Sequence, residues 1–350
     1  MGKSNSEQTY HEIYGQPESF EAINSTLPEI RETVERVFSA GFDKVIFTGC
    51  GTSLYLAQSA AHVFTEYTGM NAEAFCCSEL YYFPEACIGS GKVLVIPITR
   101  KSYTTEVRRA IDRVHQMKNV TTLAVTCDKD SSTYNDAMVL SPKTDEESVI
   151  MTRSFTSMLY LMVVMAACVG KKEEVLGSLS GYGKAAEEFL KKEDRLAQKI
   201  ISEHPEANLF ISLGQGVYYG VANECMNKMK EMGLTNSEAY YTMEYRHGPM
   251  SLVDGNTFIL FLCHGRTKES DKELLKQMKG YGAITAAIGG GVSGYMGEAD
   301  YVLDLSPDLN DELNAPLSAF IGQFLGYYIA EKKNIDADTP RHLSQAIVIK

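Results

Sequence analysis

LGQGVYYGVANECMNKMKEMGLTNSEAYYTMEYRHGP, residues 213–249, is the stretch from which the fold of this 350-residue chain is read. It opens on a glycine turn, Gly214-Gln215-Gly216, after an apolar run, and continues with the period of a helix. It closes on Glu244-Tyr245-Arg246-His247-Gly248-Pro249. A strand, a tight glycine turn and a helix in that order begin a βαβ unit. Within the helical pattern Glu224, Lys228 and Glu231 stand at i, i+4 and i+7, so one face presents carboxylate, ammonium and carboxylate in a row. Gly233 stands where a helix-ending glycine belongs. Such a face is often a solvated, salt-bridged surface. With a histidine from a separate segment it also supplies the proton holder and proton acceptor that acid–base chemistry requires.

The same order of elements stands upstream. An apolar run at 44–47 leads to Thr48-Gly49-Cys50-Gly51-Thr52-Ser53 and then to a helical pattern that breaks at Gly69. An offset of 165 carries Gly49 onto Gly214, Gly51 onto Gly216, Ala57 onto Ala222 and Glu66 onto Glu231. Without a gap it continues through Asn71 and Asn236, Glu79 and Glu244, and Pro84 and Pro249. A register that holds both glycines and the proline reads as two copies of one unit. The copies differ where chemistry would lie: Val63 takes the place of Lys228, and Tyr82 that of His247. Strand-like runs at 72–76, 93–98, 121–126 and 137–140, then at 208–213, 257–263, 283–288 and 301–305, alternate with helical patterns. Two tandem flavodoxin-like α/β/α domains with parallel sheets are therefore predicted, at 1–190 with an N-terminal arm and at 191–350 with a C-terminal tail.

Composition narrows the function. With 44% hydrophobic and 22% charged residues the chain can bury a core and is not disordered. A formal charge of −12 with no basic block argues against a nucleic-acid surface. The eight cysteines, at 50, 76, 77, 87, 127, 168, 225 and 263, are scattered without CxxC spacing, which predicts reduced thiols in a cytoplasmic protein. The longest apolar run, 158–169, is too short to span a bilayer and reads as a buried helix. Neither a metal nor another cofactor is expected.

In the first copy Gly49-Cys50-Gly51-Thr52-Ser53 lies where backbone amides can meet an anion. It lacks the third glycine of a dinucleotide fingerprint and the Gly-Lys-Ser/Thr of a Walker loop. A second strand end carries Thr99-Arg100-Lys101-Ser102-Tyr103-Thr104-Thr105-Glu106, hydroxyls and two cations on the same sheet edge. That set suits a phosphate monoester, while a polar loop with a helix cap is the plain alternative.

Taken together, CGTS at 50–53, TRKSYTTE at 99–106, ESVIMTRSFT at 147–156, the Glu224/Lys228/Glu231 face, EYRHGP at 244–249 and DTPRHL at 338–343 resemble the SIS (sugar isomerase) family. The likeness is to tandem-SIS proteins such as the isomerase domain of glucosamine-6-phosphate synthase and the fructosamine-6-phosphate deglycases, over nearly the whole chain. It implies a phosphate held by Cys50, Gly51, Thr52, Ser53, Thr99, Arg100, Lys101 and Thr104. It implies Glu231 as the base that moves a proton between C1 and C2 of a sugar. His247 would open the ring or act as acid, reaching the site from the neighbouring subunit of a homodimer with a shared active site. Glu224 and Lys228 would support the base, and Val149, Met151 and Gln345 would face the sugar.

Three departures shape the expectation. In place of the family's SRSGxT loop this chain has Thr99 to Thr104, with Lys101 for the second serine and Ser102 for the glycine, so a differently shaped loop is expected. Gln345 stands where the synthase has a lysine that forms a Schiff base with the open sugar. Residue 2 is Gly2 rather than a cysteine nucleophile, and a complete amidotransferase is not expected. Without the tail lysine, a substrate that brings its own nitrogen fits best. The expected activity is isomerase, deaminase or deglycase chemistry on a 6-phosphorylated amino sugar or fructosamine. The alternative is a non-catalytic phosphosugar-binding sensor.

Overall fold

The computed structural model describes residues 6–349, so Gly2 lies outside the described residues. Helices α1 (Glu7–Tyr14), α2 (Gln16–Ser25) and α3 (Leu27–Phe38) precede β1 (Lys44–Gly49), α4 (Thr52–Thr68), β2 (Ala72–Cys76), α5 (Cys77–Tyr82) and α6 (Pro84–Ile88). There follow β3 (Val93–Thr99), α7 (Thr105–Val114), β4 (Val120–Thr126), β5 (Ala137–Leu140), α8 (Arg153–Val169), α9 (Glu173–Gly177) and α10 (Tyr182–Glu203). The second half runs β6 (Leu209–Gly214), α11 (Tyr218–Glu231), β7 (Asn236–Tyr241), β8 (Thr257–Cys263), α12 (Lys268–Gly280) and β9 (Ile284–Gly289). It ends with β10 (Tyr301–Asp304), α13 (Asp311–Ser318) and α14 (Phe320–Lys333).

Each half builds one five-stranded parallel sheet. The orders are β2-β1-β3-β4-β5 and, read the same way, β7-β6-β8-β9-β10. This flavodoxin-like order, repeated element for element, is the two-copy α/β fold expected above. The central strands β3 and β8 are buried at every position, as a parallel sheet covered on both faces requires. Pro97 lies inside β3, and the ladder to β4 passes from Val95 and Thr122 to Ile98 and Val125, because proline has no N–H to donate. The ladders set Pro97 beside Thr48 and Phe261 beside Leu213, so by the third strand the halves are offset by 164 rather than 165. One residue has dropped out between Pro249 and β8, where the letter match ends.

The chain divides into Gly15–Gly183 with the segment from Leu343, and Lys184–His342 with the segment up to Tyr14. The internal division lies between Gly183 and Lys184, and each terminal segment groups with the half farther from it in sequence. Hydrogen bonding accounts for the N-terminal end. Asp338 accepts from the backbone N–H groups of Gln8 at 3.1 Å and Thr9 at 2.7 Å, capping α1 from the far end of the sequence. Asp194 of α10 then accepts from Tyr10 at 2.8 Å, Tyr14 at 2.5 Å and Tyr328 of α14.

The run at 158–169 lies within α8, buried from Ser154 to Cys168. Among the described residues no helix is long and apolar enough to cross a membrane, and all eight cysteines are free.

Two outcomes follow from this packing. Asp194→Ala removes the common acceptor of three phenols and should lower the free energy of unfolding by about 2–3 kcal/mol in urea titration; a change under about 0.5 kcal/mol would show that the three bonds are redundant. Burial pushes the Asp271 carboxyl up to about 7, against a hydrogen bond from Thr267 Oγ1 at 2.7 Å. A carboxyl raised on folding costs nothing below about pH 4, and its cost grows up to the folded value. Asp271→Asn should therefore leave stability unchanged at pH 4 and raise it by about 1–3 kcal/mol at pH 8, measured by thermal and urea denaturation.

Candidate functional site

In the first half β1 stops at Gly49, Gly51 turns the chain at φ +55, and α4 begins at Thr52. A Cβ at Gly49 would come within 2.6 Å of Ser53 backbone, so only glycine lets the helix start fold back over the strand end. Ser53 N–H donates to the Cys50 carbonyl at 3.1 Å and Leu54 N–H to that of Gly51 at 2.8 Å. The Cys50 side chain turns inward to the cluster containing Cys77, whose thiol, with burial, pushes the Cys50 thiol far up. Cys50 thus leaves its backbone, not its thiol, on the turn.

The loop after β3 is held by its own polar groups. Thr99 Oγ1 donates to the Lys101 carbonyl at 2.7 Å, and Thr104 Oγ1 lies 3.5 Å from the same oxygen. Ser102, in the place of a glycine, has no positive φ and donates through N–H (3.0 Å) and hydroxyl (2.6 Å) to Asp128. Burial alone would raise the Asp128 carboxyl, but these bonds hold it below the usual range. Lys101 Nζ pairs with Asp145 at 2.7 Å.

Arg100, expected at the phosphate, makes contacts of its own within the protein. Its guanidinium is buried: Nη1 meets Glu146 at 3.1 Å and the carbonyls of Ser148 and Ile150, and Nη2 meets those of Val149 at 2.8 Å and Gln345 at 3.2 Å. The cause is Glu146, a buried carboxylate that also caps α8 through Thr152 N–H at 2.6 Å and Ser154 N–H at 3.2 Å and needs a counter-ion. Gln345 donates to the Glu147 carbonyl at 2.7 Å, so Arg100 and Gln345 together tie the tail to the loop carrying Val149 and Met151, both half-buried. Glu146, Asp145 and Asp128 were missed in the sequence. For the first two, the acidic run Asp145-Glu146-Glu147, which leads into the ESVIM motif, was the available signal.

In the second half β6 ends at Gly214, Gly216 turns at φ +60 and α11 begins at Tyr218. Along α11 the row of charges is an ion triad. Lys228, fully buried, has Nζ 3.1 Å from Glu224 and 2.6 Å from Glu231. Burial would drive its proton off, but the two carboxylates more than offset this and raise it, so Lys228 is an ammonium. Glu224 is buried with it, whereas the Glu231 side chain keeps 23% of its surface exposed at the end of the helix. His247 lies on an exposed turn after a short 3-10 helix, Glu244–Arg246, ahead of Gly248 at φ +125. Among the described residues no hydrogen bond or ion pair joins it to the triad. The chain's own fold bonds Glu224, Lys228 and Glu231 to one another and does not bond His247 to them.

The SIS domain family profile matches residues 40–168 and 206–330. The chain is 24% identical over 348 residues to glutamine–fructose-6-phosphate aminotransferase (isomerizing) of Methanothermobacter thermautotrophicus, covering 97% of this chain and 57% of that protein. It spans about half the length of the curated relatives it matches. Glucosamine-6-phosphate deaminase from Thermotoga maritima is 28% identical with a TM-score of 0.76, over 95% of this chain and 99% of that one. The C-terminal domain of glucosamine-fructose-6-phosphate aminotransferase from Francisella tularensis, 21% identical, shares the fold with a TM-score of 0.85 over 95% and 98% of the two chains. With one match on each of its two repeated sheets, the chain belongs to the SIS domain family as a tandem pair.

Proposed function

We propose that the protein is a phosphosugar isomerase, deaminase or deglycase acting on a 6-phosphorylated amino sugar or fructosamine. The observation that carries this reading is the triad on α11: a buried ammonium clamped by two carboxylates, of which one, Glu231, reaches solvent. A carboxylate fixed by a buried ammonium, with one edge open to a substrate, is a preorganised base. The similarity to a glucosamine-6-phosphate deaminase supports the same substrate class.

On an open-chain 2-amino aldose phosphate, Glu231 takes the proton from C2 as the carbonyl oxygen at C1 gains one, and the proton is returned at C1. The product is an imine at C2, which water hydrolyses to the ketose phosphate and ammonia. A fructosamine 6-phosphate runs the same shift from C1 to C2 and releases its amine on hydrolysis. In either case the substrate brings the nitrogen. Lys228 is committed as an ammonium to two carboxylates, and Gln345 has no amine to give, so neither offers a Schiff-base nitrogen. The phosphate is assigned to the first half, to the turn amides after Gly49, the hydroxyls of Thr52 and Ser53, and the loop of Thr99, Lys101 and Thr104. Arg100 serves that loop as a positioning residue, because its guanidinium is engaged within the protein. His247, with no bond to the triad of its own chain, suits the acid supplied across a homodimer.

Glu231→Gln should lower kcat for ammonia release from glucosamine 6-phosphate, or amine release from a fructosamine 6-phosphate, by about 100-fold or more. Calorimetric affinity for the sugar phosphate should be unchanged. Full turnover by the variant sinks the base assignment, and binding by wild type without turnover across both substrate classes establishes a sensor instead. Ser53→Ala should weaken binding of the sugar phosphate about tenfold with kcat at saturation retained; equal affinity of variant and wild type would move the phosphate elsewhere.

A further inference from the structure

The second half repeats the strand-turn-helix of the first so closely that it poses a question of its own: what stands in the second turn where the first presents donors to an anion? Both turns are strained alike. A Cβ at Gly214 would lie 2.3 Å from the Tyr218 carbonyl oxygen, as one at Gly49 would lie 2.6 Å from Ser53, and Gly216 and Gly51 share φ near +60 and +55. Tyr218 therefore holds the place of Ser53. The sheet ladders, which align Pro97 with Phe261, bring Thr99 onto Cys263, Arg100 onto His264 and Lys101 onto Gly265.

At these matched positions the second half contains a carboxylate. Asp311, first residue of α13, accepts from the Tyr218 hydroxyl at 3.1 Å through one oxygen and from Gly265 N–H at 3.0 Å through the other. His264 Nδ1 lies 3.4 Å from the second oxygen while accepting from Arg266 N–H at 3.0 Å. Asp311 does not cap its own helix. Asn310 does that, accepting from Leu313 N–H at 3.1 Å, which leaves Asp311 to reach across to the turn. Gly265 has no side chain for a reason: a Cβ there would stand 3.2 Å from the Asp311 oxygen.

The first half handles its acids differently. Glu146 and Asp145 come from the segment after its last strand, as Asp311 does, and they approach the matched loop residues Arg100 and Lys101. There the long side chains meet these two carboxylates, at 3.1 and 2.7 Å, and the amide that an acid does reach in that loop, Ser102 N–H, is taken by Asp128 at 3.0 Å. In the second half, with glycine at the position of Lys101, the carboxylate reaches the amide itself.

We propose that the second turn is an oxyanion site plugged by the chain's own Asp311, and that withdrawing this carboxylate opens it to a small oxyanion such as phosphate or formate. A hydroxyl and a backbone N–H converging on one carboxylate are donors suited to any compact oxyanion. The Asp311 side chain keeps 20% of its surface exposed, so the site has an opening to solvent. This inference concerns the second half and stands whether or not the first half binds a sugar phosphate.

The test uses the full chain carrying Asp311→Gly. Titration with inorganic phosphate should show one more phosphate per chain than wild type binds, whatever the wild-type count, and saturating phosphate should raise the variant's Tm by about 2–4 °C beyond any rise in wild type. Adding Gly265→Ala, whose Cβ crowds the cradle, should remove the gained site. A folded Asp311→Gly protein with the wild-type phosphate count overturns the proposal. Should the variant not fold alone, refolding in formate or phosphate should restore it by supplying the missing anion, and failure of both anions to do so also overturns the proposal. Asp311→Asn, which fills the same space, should fold and bind no added phosphate.

Discussion

Everything in each half follows from the approach of a helix to the end of the strand before it. At Gly49 and Gly214 the next helix's backbone lies closer than any side-chain carbon could tolerate. The chain must turn there through a second glycine at positive φ, and the helix must start directly over the sheet. That start fixes which residues face the crevice. Ser53 and Tyr218 occupy the first turn, and on α11 the rotation of the helix from Tyr218 onward carries Glu224, Lys228 and Glu231 down one face in sequence.

Charge buried inside each half is organised by the same rule, that an ion out of water must be met on all sides. Lys228 lies between two carboxylates, and Glu146 lies between a guanidinium and the first amides of α8. The two clusters differ in what they leave over. The Lys228 triad leaves one carboxylate, Glu231, with a path to solvent. The Arg100–Glu146 pair is closed, and its work is mechanical: it holds the 146–150 loop and the tail at Gln345 in one place.

The strands, their parallel order and the duplication were legible because they rest on patterns that tertiary context does not overturn: buried apolar runs, glycines at turns and a fixed letter offset. The triad was legible because helical spacing sets it. The bonds Arg100 makes inside the protein were not legible, because a cation at a strand end looks alike whether it faces a ligand or a buried acid. Its partner, Glu146, is far away in sequence and falls one residue before the motif that drew attention. The ends of the chain were assigned to the nearest half because nothing in the letters of Asp338 or Asp194 announces a bond to residues 8–14. Nor did the sequence show that His247, close to Glu231 along the chain, makes no hydrogen bond or ion pair with it.

The exchanged ends reach beyond packing. Residues 6–14 complete the half whose strands begin two hundred residues later, and the tail from Leu343 completes the half that opened the chain. During synthesis, then, the half that emerges first has its Arg100 loop pinned only after Gln345 has been made. Excising either repeat as a contiguous cassette would strip a segment from the one left behind. A duplicated unit has in this way become a single indivisible chain.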